Sequence, residues 1–136
     1  MSEESTTPDL VELTRHMFEA ANRRDFDAAL EFYAPQAYWR GTVDDAEGIP
    51  AIRDLWAGYF SAFEELQVIL DDVADFGNGV IFVASRHAGR LVGGASLVEG
   101  RAFVYEFTDG RVVRASDYSD IDEARAAAER LAESRG

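Results

Sequence analysis

The chain has 136 residues, 47% of them hydrophobic, and a formal net charge of −13 from 13 basic and 26 acidic residues. This length and composition predict a folded domain with a real core and exclude a disordered polymer. The acidic balance and the scattered basic residues argue against nucleic acid or an anionic membrane as a partner. The chain has no cysteine, which excludes disulfides and thiol chemistry.

The N-terminal stretch is polar and acidic, unlike a basic and apolar export signal. No apolar run approaches the roughly 20 residues that a membrane helix needs. We therefore expect a cytoplasmic protein. Residues 1–8 are predicted to be a flexible tail, followed by one domain over residues 9–134.

Two helices are predicted at the start of this domain. The string Thr7-Pro8-Asp9 combines a capping hydroxyl, a proline at the first helical position and an acid in the first turn. The helix it opens should end near Asn22. Asp25 is predicted to cap a second, short helix whose apolar stripe runs from Phe26 to Tyr33 and which Pro35 ends.

A short strand is predicted over residues 37–40, then an acidic loop over residues 41–48, and Pro50 should begin a third helix. Apolar side chains in this third helix recur at helical spacing and form the clearest stripe in the chain: Ile52, Leu55, Trp56, Tyr59, Phe60 and Phe63. We expect this stripe to pack into the concave face of a sheet.

The apolar period then changes to two, which predicts strands over residues 66–76, 80–91 and 97–108 and a fourth strand from residue 111. Short glycine turns join them, so these strands must be antiparallel. The turn at Asp109-Gly110 is the strongest hairpin signal. Asp120 and Glu123 form a capping-box pattern for a last helix, which is weakly apolar and expected to pack loosely. This order predicts an α+β fold with helices on the concave face and a pocket at its open end.

Asp117 is the candidate site residue that this arrangement singles out. On strand alternation it continues a row formed by Val113 and Ala115. If that row faces the core, a carboxylate lies at the inner mouth of the sheet, where burial would raise its pKa toward values useful for acid–base chemistry. A strand-end aspartate that pairs with an arginine or faces water is the alternative.

Arg86 is predicted to be the partner of Asp117. It shares a strand face with Phe82 and Ala84, and a buried arginine must be paired. The pair could clamp a ligand or only specify the fold. Further along the sheet, Glu99 and Arg101 share a face with Phe103, so they point toward the pocket mouth or form a solvated strand end.

Four aromatic residues could line a pocket for a flat apolar ligand, or could serve mainly to fill the hydrophobic core: Trp39, Trp56, Tyr59 and Phe60. The two histidines, His16 and His87, lack the spacing of a metal site. The sequence also has no phosphate-cradling glycine loop and no dinucleotide fingerprint. We therefore expect neither a metal nor another cofactor.

Several strings resemble the SnoaL-like branch of the nuclear-transport-factor-2-like superfamily, whose fold is an α+β cone. They run over residues 20–30, 35–39, 48–53, 109–113 and 117–120, so the resemblance covers about residues 9–130. Some members of this superfamily are enzymes, and others are binding modules or assembly domains.

The resemblance implies roles for a few residues. In limonene-epoxide-hydrolase-like members, the acid–base aspartate corresponds to Asp117, and the arginine that bridges it to a second carboxylate corresponds to Arg86. The position of that second carboxylate is Ala88 in this chain, which argues against epoxide hydrolysis. In steroid isomerases the oxyanion-donating tyrosine falls on Met17 and the general base on Gly41. The polyketide-cyclase-like branch also uses an aspartate near Asp117, which is the closest functional parallel.

The resemblance further implies a symmetric homodimer through the sheet. The sequence also supports a dimer. Ile81 and Val83 lie on the opposite strand face from Phe82 and Ala84, so one apolar face of the sheet would be left uncovered and could form the interface. The functional prediction is a cofactor-independent SnoaL-like enzyme of isomerase, cyclase or lyase type. It would use Asp117 on a small apolar or polyketide-like molecule. The alternative is a non-catalytic small-molecule-binding or dimerisation module of the same fold.

Overall fold

A computed structural model of the chain describes residues 9–136. The predicted tail and the Thr7 cap lie outside the described residues. The elements follow in the order α1 (Leu10–Asn22), α2 (Phe26–Leu30), β1 (Tyr33–Arg40), β2 (Ala46–Glu47), α3 (Ile49–Ser61), β3 (Phe63–Gly77), β4 (Val80–Leu91), β5 (Ser96–Thr108), β6 (Arg111–Tyr118) and α4 (Ile121–Arg135). Asp9 caps α1, because its side chain accepts hydrogen bonds from the backbone N–H groups of Val11 and Glu12.

All six strands form one curved sheet in the order β2-β1-β6-β5-β4-β3. Strands β3 to β6 form the predicted antiparallel meander, while β1 pairs with β6 in parallel. The predicted α+β class is therefore confirmed. Two of the hairpin turns have positive φ at both central residues: Asn78 and Gly79 at 57° and 82°, and Asp109 and Gly110 at 53° and 78°. Such turns match the right-handed twist of the strands that they join.

The sheet is covered on both faces, and the coverage decides where a site can form. Helices α1 to α3 pack on the concave face, where Ile81, Val83 and Phe103 belong to the larger apolar core. Helix α4 packs on the other face over Phe82 and Val104. The apolar face inferred for a dimer interface is thus buried within this chain, and that argument was wrong. The homodimer stays a prediction from the resemblance alone.

Helix α4 packs tightly, contrary to the expectation of loose packing. Ala124 and Ala128 are fully buried, and Ala132 is nearly so. These three small side chains recur every four residues, so one face of the helix can approach the sheet closely. The end of the helix is tied down as well, since the Asn78 side chain donates a hydrogen bond of 2.6 Å to the carbonyl of Ala132.

Some predicted boundaries in the first half were wrong. Tyr33, predicted in the second helix, lies in β1, and Pro35, predicted to end that helix, also lies in β1. Helix α2 is only five residues long and ends at Leu30. Pro35 is tolerated there because the pairing of β1 with β6 is irregular between Tyr33 and Tyr38. Phe63 begins β3 and does not extend the stripe of α3.

A β-bulge in β6 corrects the predicted inner row. Glu106 pairs with Arg114 and Phe107 with Val112, so Val113 is an extra residue. The residues of β6 that are fully buried in the concave core are therefore Val112 and Ala115, and Val113 does not belong to that row. Past the bulge the alternation is regular, so Ala115 and Asp117 share the concave face. In the described part of the chain, no helix is long and apolar enough to cross a membrane.

Candidate functional site

A cavity of about 550 Å³ lies between the concave face of the sheet and helices α1 and α3. We call it the cone cavity. Its wall is mostly apolar and aromatic, and a few polar side chains reach it. The wall includes six of the predicted ligand-binding residues: Trp39, Trp56, Tyr59, Phe60, Arg101 and Phe103. Its size falls in the range of cavities that hold small organic molecules.

Asp117 also lines the cone cavity, where it pairs with Arg101. One guanidinium nitrogen of Arg101 lies 2.5 Å from Asp117 Oδ2, and both side chains are about 85% buried. The register explains the pairing. Phe103 is the direct partner of Asp117, so Arg101, two residues away on the same face of β5, is its diagonal neighbour. The Arg101 side chain is also tied to the cavity mouth by a 3.3 Å hydrogen bond to Thr42 Oγ1.

Burial and the contact with Arg101 shift the pKa of Asp117 in opposite directions. Burial raises the pKa of Asp117, and it outweighs the hydrogen bond and positive charge of Arg101, which lower it. The carboxylate is also only half satisfied, because Oδ1 is buried and has no hydrogen-bond partner among residues 9–136. Arg101 thus holds one oxygen of Asp117, and the other lies in the cavity wall without a partner.

The predicted pairing of Asp117 with Arg86 was wrong. Arg86 lies on the opposite face of the sheet, half exposed, and forms an ion pair of 2.9 Å with Asp71 of β3. Phe82 and Ala84, which suggested that its face was the inner one, are buried under α4. Because both faces of β4 are apolar, alternation by itself could not identify the face that borders the cavity.

Glu99 and the aromatic residues are placed as follows. Glu99 is nearly half exposed, does not line the cavity and lies 3.7 Å from Arg101. Trp56 is only partly buried, because one side of its ring packs on other aromatic rings and another borders the cavity. A ligand-binding role for these residues stays a prediction.

Sequence reasoning missed His87 as a cavity residue. It follows Arg86 on β4, so it lies on the concave face with Ile81 and Val83. Its ring is 7% exposed and stacks on Phe103 with 6.1 Å between centroids. Alternation along β4 contains the signal, and the correct assignment of the two faces would have found it.

Tyr59 of α3 reaches across to His87. The Tyr59 hydroxyl lies 2.7 Å from His87 Nδ1. Burial, together with the positive charge of Arg101, lowers the pKa of His87 to about 4, so the imidazole is neutral at pH 7. Among residues 9–136, no group of three or more His, Cys, Asp or Glu side chains is arranged to hold a metal ion.

The loop at the mouth of the cavity has a fixed geometry. Asp45 accepts hydrogen bonds from the Tyr38 hydroxyl at 2.7 Å and from the backbone N–H of Gly41 at 3.1 Å. A Cβ at position 41 would lie 2.1 Å from the carbonyl oxygen of Asp44, so only glycine fits there. Thr42, which contacts Arg101, is held between these anchored residues.

Comparisons with known proteins agree with this architecture. The family model for the SnoaL-like domain matches residues 14–115. Among curated proteins, none matches the chain. Among solved structures, a nuclear-transport-factor-2-like protein of unknown function from Burkholderia pseudomallei is 22% identical, with a TM-score of 0.76 over 86% of this chain and 95% of the other.

Two further solved structures share the fold at lower identity. A putative SnoaL-like polyketide cyclase from a Jannaschia species is 18% identical, with a TM-score of 0.75 over 95% of this chain and 97% of the other. TerC, co-crystallised with polyporic acid, is 13% identical, with a TM-score of 0.74 over 88% of this chain and 98% of the other. The family match spans most of the chain, and the sheet and helices have the matching topology. The chain therefore belongs to the SnoaL-like domain family and shares the fold of the nuclear-transport-factor-2-like protein.

Proposed function

We propose that this protein is a cofactor-independent enzyme that uses Asp117 as a general acid–base on a small, flat and largely apolar molecule. The observation that carries the proposal is the state of Asp117 in the wall of the cone cavity. One of its oxygens is held by Arg101, and the other is buried and has no hydrogen-bond partner among residues 9–136, while the residue itself lines the cavity. A carboxylate held in this way is oriented, and its free oxygen is available for a proton.

The proposed chemistry is proton transfer at a carbon next to a carbonyl group. Asp117 Oδ1 would take the proton from that carbon, leaving an enolate, and would return a proton to the same carbon or to another position. Arg101 would keep the carboxylate oriented and stabilise its negative charge before the transfer. One aspartate that takes and returns a proton suits isomerisation, cyclisation or elimination. The raised pKa of Asp117 makes its carboxylate a stronger base, which favours removal of the proton from carbon.

The comparisons support the class of substrate. One neighbour is a putative SnoaL-like polyketide cyclase, and another, TerC, was co-crystallised with polyporic acid. In this chain the aromatic rings of Trp39, Trp56 and Phe103 line the cavity and provide flat apolar surfaces.

The test uses a ketone that fits the proposed reaction. The exchange of the α-protons of 2-tetralone in D2O is followed by proton NMR, with and without protein. Wild-type protein should accelerate the exchange, and the nearly isosteric Asp117→Asn variant should lose about 100-fold or more of that acceleration. The matched control is Asp71→Asn, which changes an exposed aspartate on the other face and should leave the exchange unaltered.

Two results would contradict the proposal. Exchange by Asp117→Asn at the wild-type rate would remove the role of this carboxylate. Wild-type protein that binds planar ketones without accelerating their exchange would favour a small-molecule-binding module. Circular dichroism of both variants should match the wild type, because neither substitution changes the size of the side chain.

A further inference from the structure

The cone cavity contains a second polar side chain that the proposed acid–base reaction does not use. His87 is more than nine-tenths buried, and its Nε2 atom has no hydrogen-bond partner within residues 9–136. The ring is fixed on two sides, by the Tyr59 hydroxyl at Nδ1 and by the Phe103 ring. A buried polar atom without a partner is costly unless a bound molecule satisfies it.

The contact with Tyr59 indicates which nitrogen of the neutral His87 ring carries the proton. A phenol hydroxyl is a good donor, and the lone pair of an imidazole nitrogen is a strong acceptor, whereas a phenol oxygen accepts weakly. The stronger arrangement has Tyr59 donating to Nδ1, which leaves the proton of the ring on Nε2. Nε2 is then a hydrogen-bond donor at the cavity.

Asp117 supplies the complementary atom. Its Oδ1 is a buried acceptor without a partner among the described residues, and Asp117 lines the same cavity. Strand β5 lies between β4, which carries His87, and β6, which carries Asp117, so these two strands are about 9.5 Å apart. The two residues are also offset along the strands, because their partners on β5, Glu99 and Phe103, are four residues apart. The wall between them includes the Phe103 ring. One donor and one acceptor on opposite sides of an aromatic wall match a planar molecule with an oxygen acceptor at one end and a donor at the other.

We propose that His87 Nε2–H donates a hydrogen bond to a carbonyl oxygen of a planar ligand whose donor end, a hydroxyl or an acidic C–H group, meets Asp117. Tyr59 is a positioning residue that fixes the tautomer of His87. The ligand class is a flat bicyclic or larger ketone with a hydroxyl group remote from the carbonyl. This inference rests on the proposed function, because it assigns the other end of the same ligand.

Binding of three related probes tests the contact, with the fluorescence of Trp39 and Trp56 in the cavity wall as the signal. The probes are 6-hydroxy-1-tetralone, 1-tetralone, which lacks the hydroxyl, and 5,6,7,8-tetrahydro-2-naphthol, which lacks the carbonyl. The variant His87→Phe should weaken binding of both ketones about tenfold and should leave the naphthol unchanged. The control His16→Gln alters an exposed histidine on α1 and should bind all three like the wild type.

Imidazole NMR provides a readout that does not depend on a stable His87 variant. In the His16→Gln protein, His87 is the only histidine. Its 15N spectrum at pH 7 should show the neutral ring with the proton on Nε2, and saturating 1-tetralone should shift the Nε2 resonance. In Tyr59→Phe the ring should become a mixture of tautomers.

The outcomes separate this inference from the proposed function. Unchanged ketone binding in His87→Phe, an Nδ1–H ring, or failure of all three probes to bind would overturn the role of His87. Exchange of 2-tetralone would still depend on Asp117 if the proposed function is right. Conversely, selective loss of ketone binding in His87→Phe together with wild-type exchange by Asp117→Asn would leave the His87 contact standing and remove the acid–base role of Asp117.

Discussion

The neutral, buried His87 should make the protein lose stability in acid, and the structure gives the size of the effect. The pKa of His87 lies at about 4 in the folded protein, against 6.5 for the ordinary side chain. Between these values the unfolded chain binds a proton that the folded protein does not, so stability falls as the pH falls. Each pH unit corresponds to about 1.4 kcal/mol, so the loss is roughly 3 kcal/mol.

The sign of this effect follows from the groups that face the ring. Burial is the main cause of the lowered pKa, and Arg101 of β5 adds a positive charge that disfavours an imidazolium. Above pH 6.5 both states are neutral at this residue, so its stabilising contribution is fully present. Below about pH 4 the folded protein also takes the proton, and the loss levels off.

The assay is urea unfolding at pH 7, 6, 5 and 4 for the wild type, His87→Gln and His16→Gln. The wild type and His16→Gln should lose roughly 3 kcal/mol more than His87→Gln between pH 7 and pH 4. Other groups titrate in the same pH range. The test is therefore the difference between the variants in the pH-dependent loss of unfolding free energy, and not the size of that loss in one protein. Parallel pH profiles for His87→Gln and the wild type would mean that His87 takes up protons as readily in the folded state as in the unfolded chain.

Two other predictions concern packing and assembly. Trp56→Ala should lower the free energy of unfolding by about 2–3 kcal/mol. A fully buried tryptophan would cost about 3–5 kcal/mol, but one side of the Trp56 ring borders the cavity. A loss below about 1 kcal/mol would show that the ring contacts with Tyr33 and Trp39 contribute little. Light scattering of the wild type at micromolar concentration should give twice the 15.0 kDa mass of one chain. Val98→Asp places a charge at an exposed valine of β5 and should reduce the measured mass to that of a single chain. A wild-type mass of 15.0 kDa would refute the homodimer.

Local signals in the sequence determined most of the fold. The Asp109-Gly110 turn requires two residues with positive φ, and this pair supplies them at low cost, so the last hairpin could be read directly. The change of apolar period from helical to alternating located β4 exactly, and β3 and β5 to within a few residues. These features depend on neighbours in sequence, which is why the chain alone contains them.

The tertiary structure decided which face of each strand borders the cavity. Strand β4 is apolar on both faces, because α4 covers one and the N-terminal helices cover the other. Alternation therefore separates Arg86 from His87 but cannot say which of them is inside. The partner of Asp117 depended likewise on the register of β5 against β6, which places Arg101 diagonally across from it. Strand pairing and coverage by helices depend on contacts between residues that are far apart in the sequence, and the local pattern of the sequence does not specify such contacts.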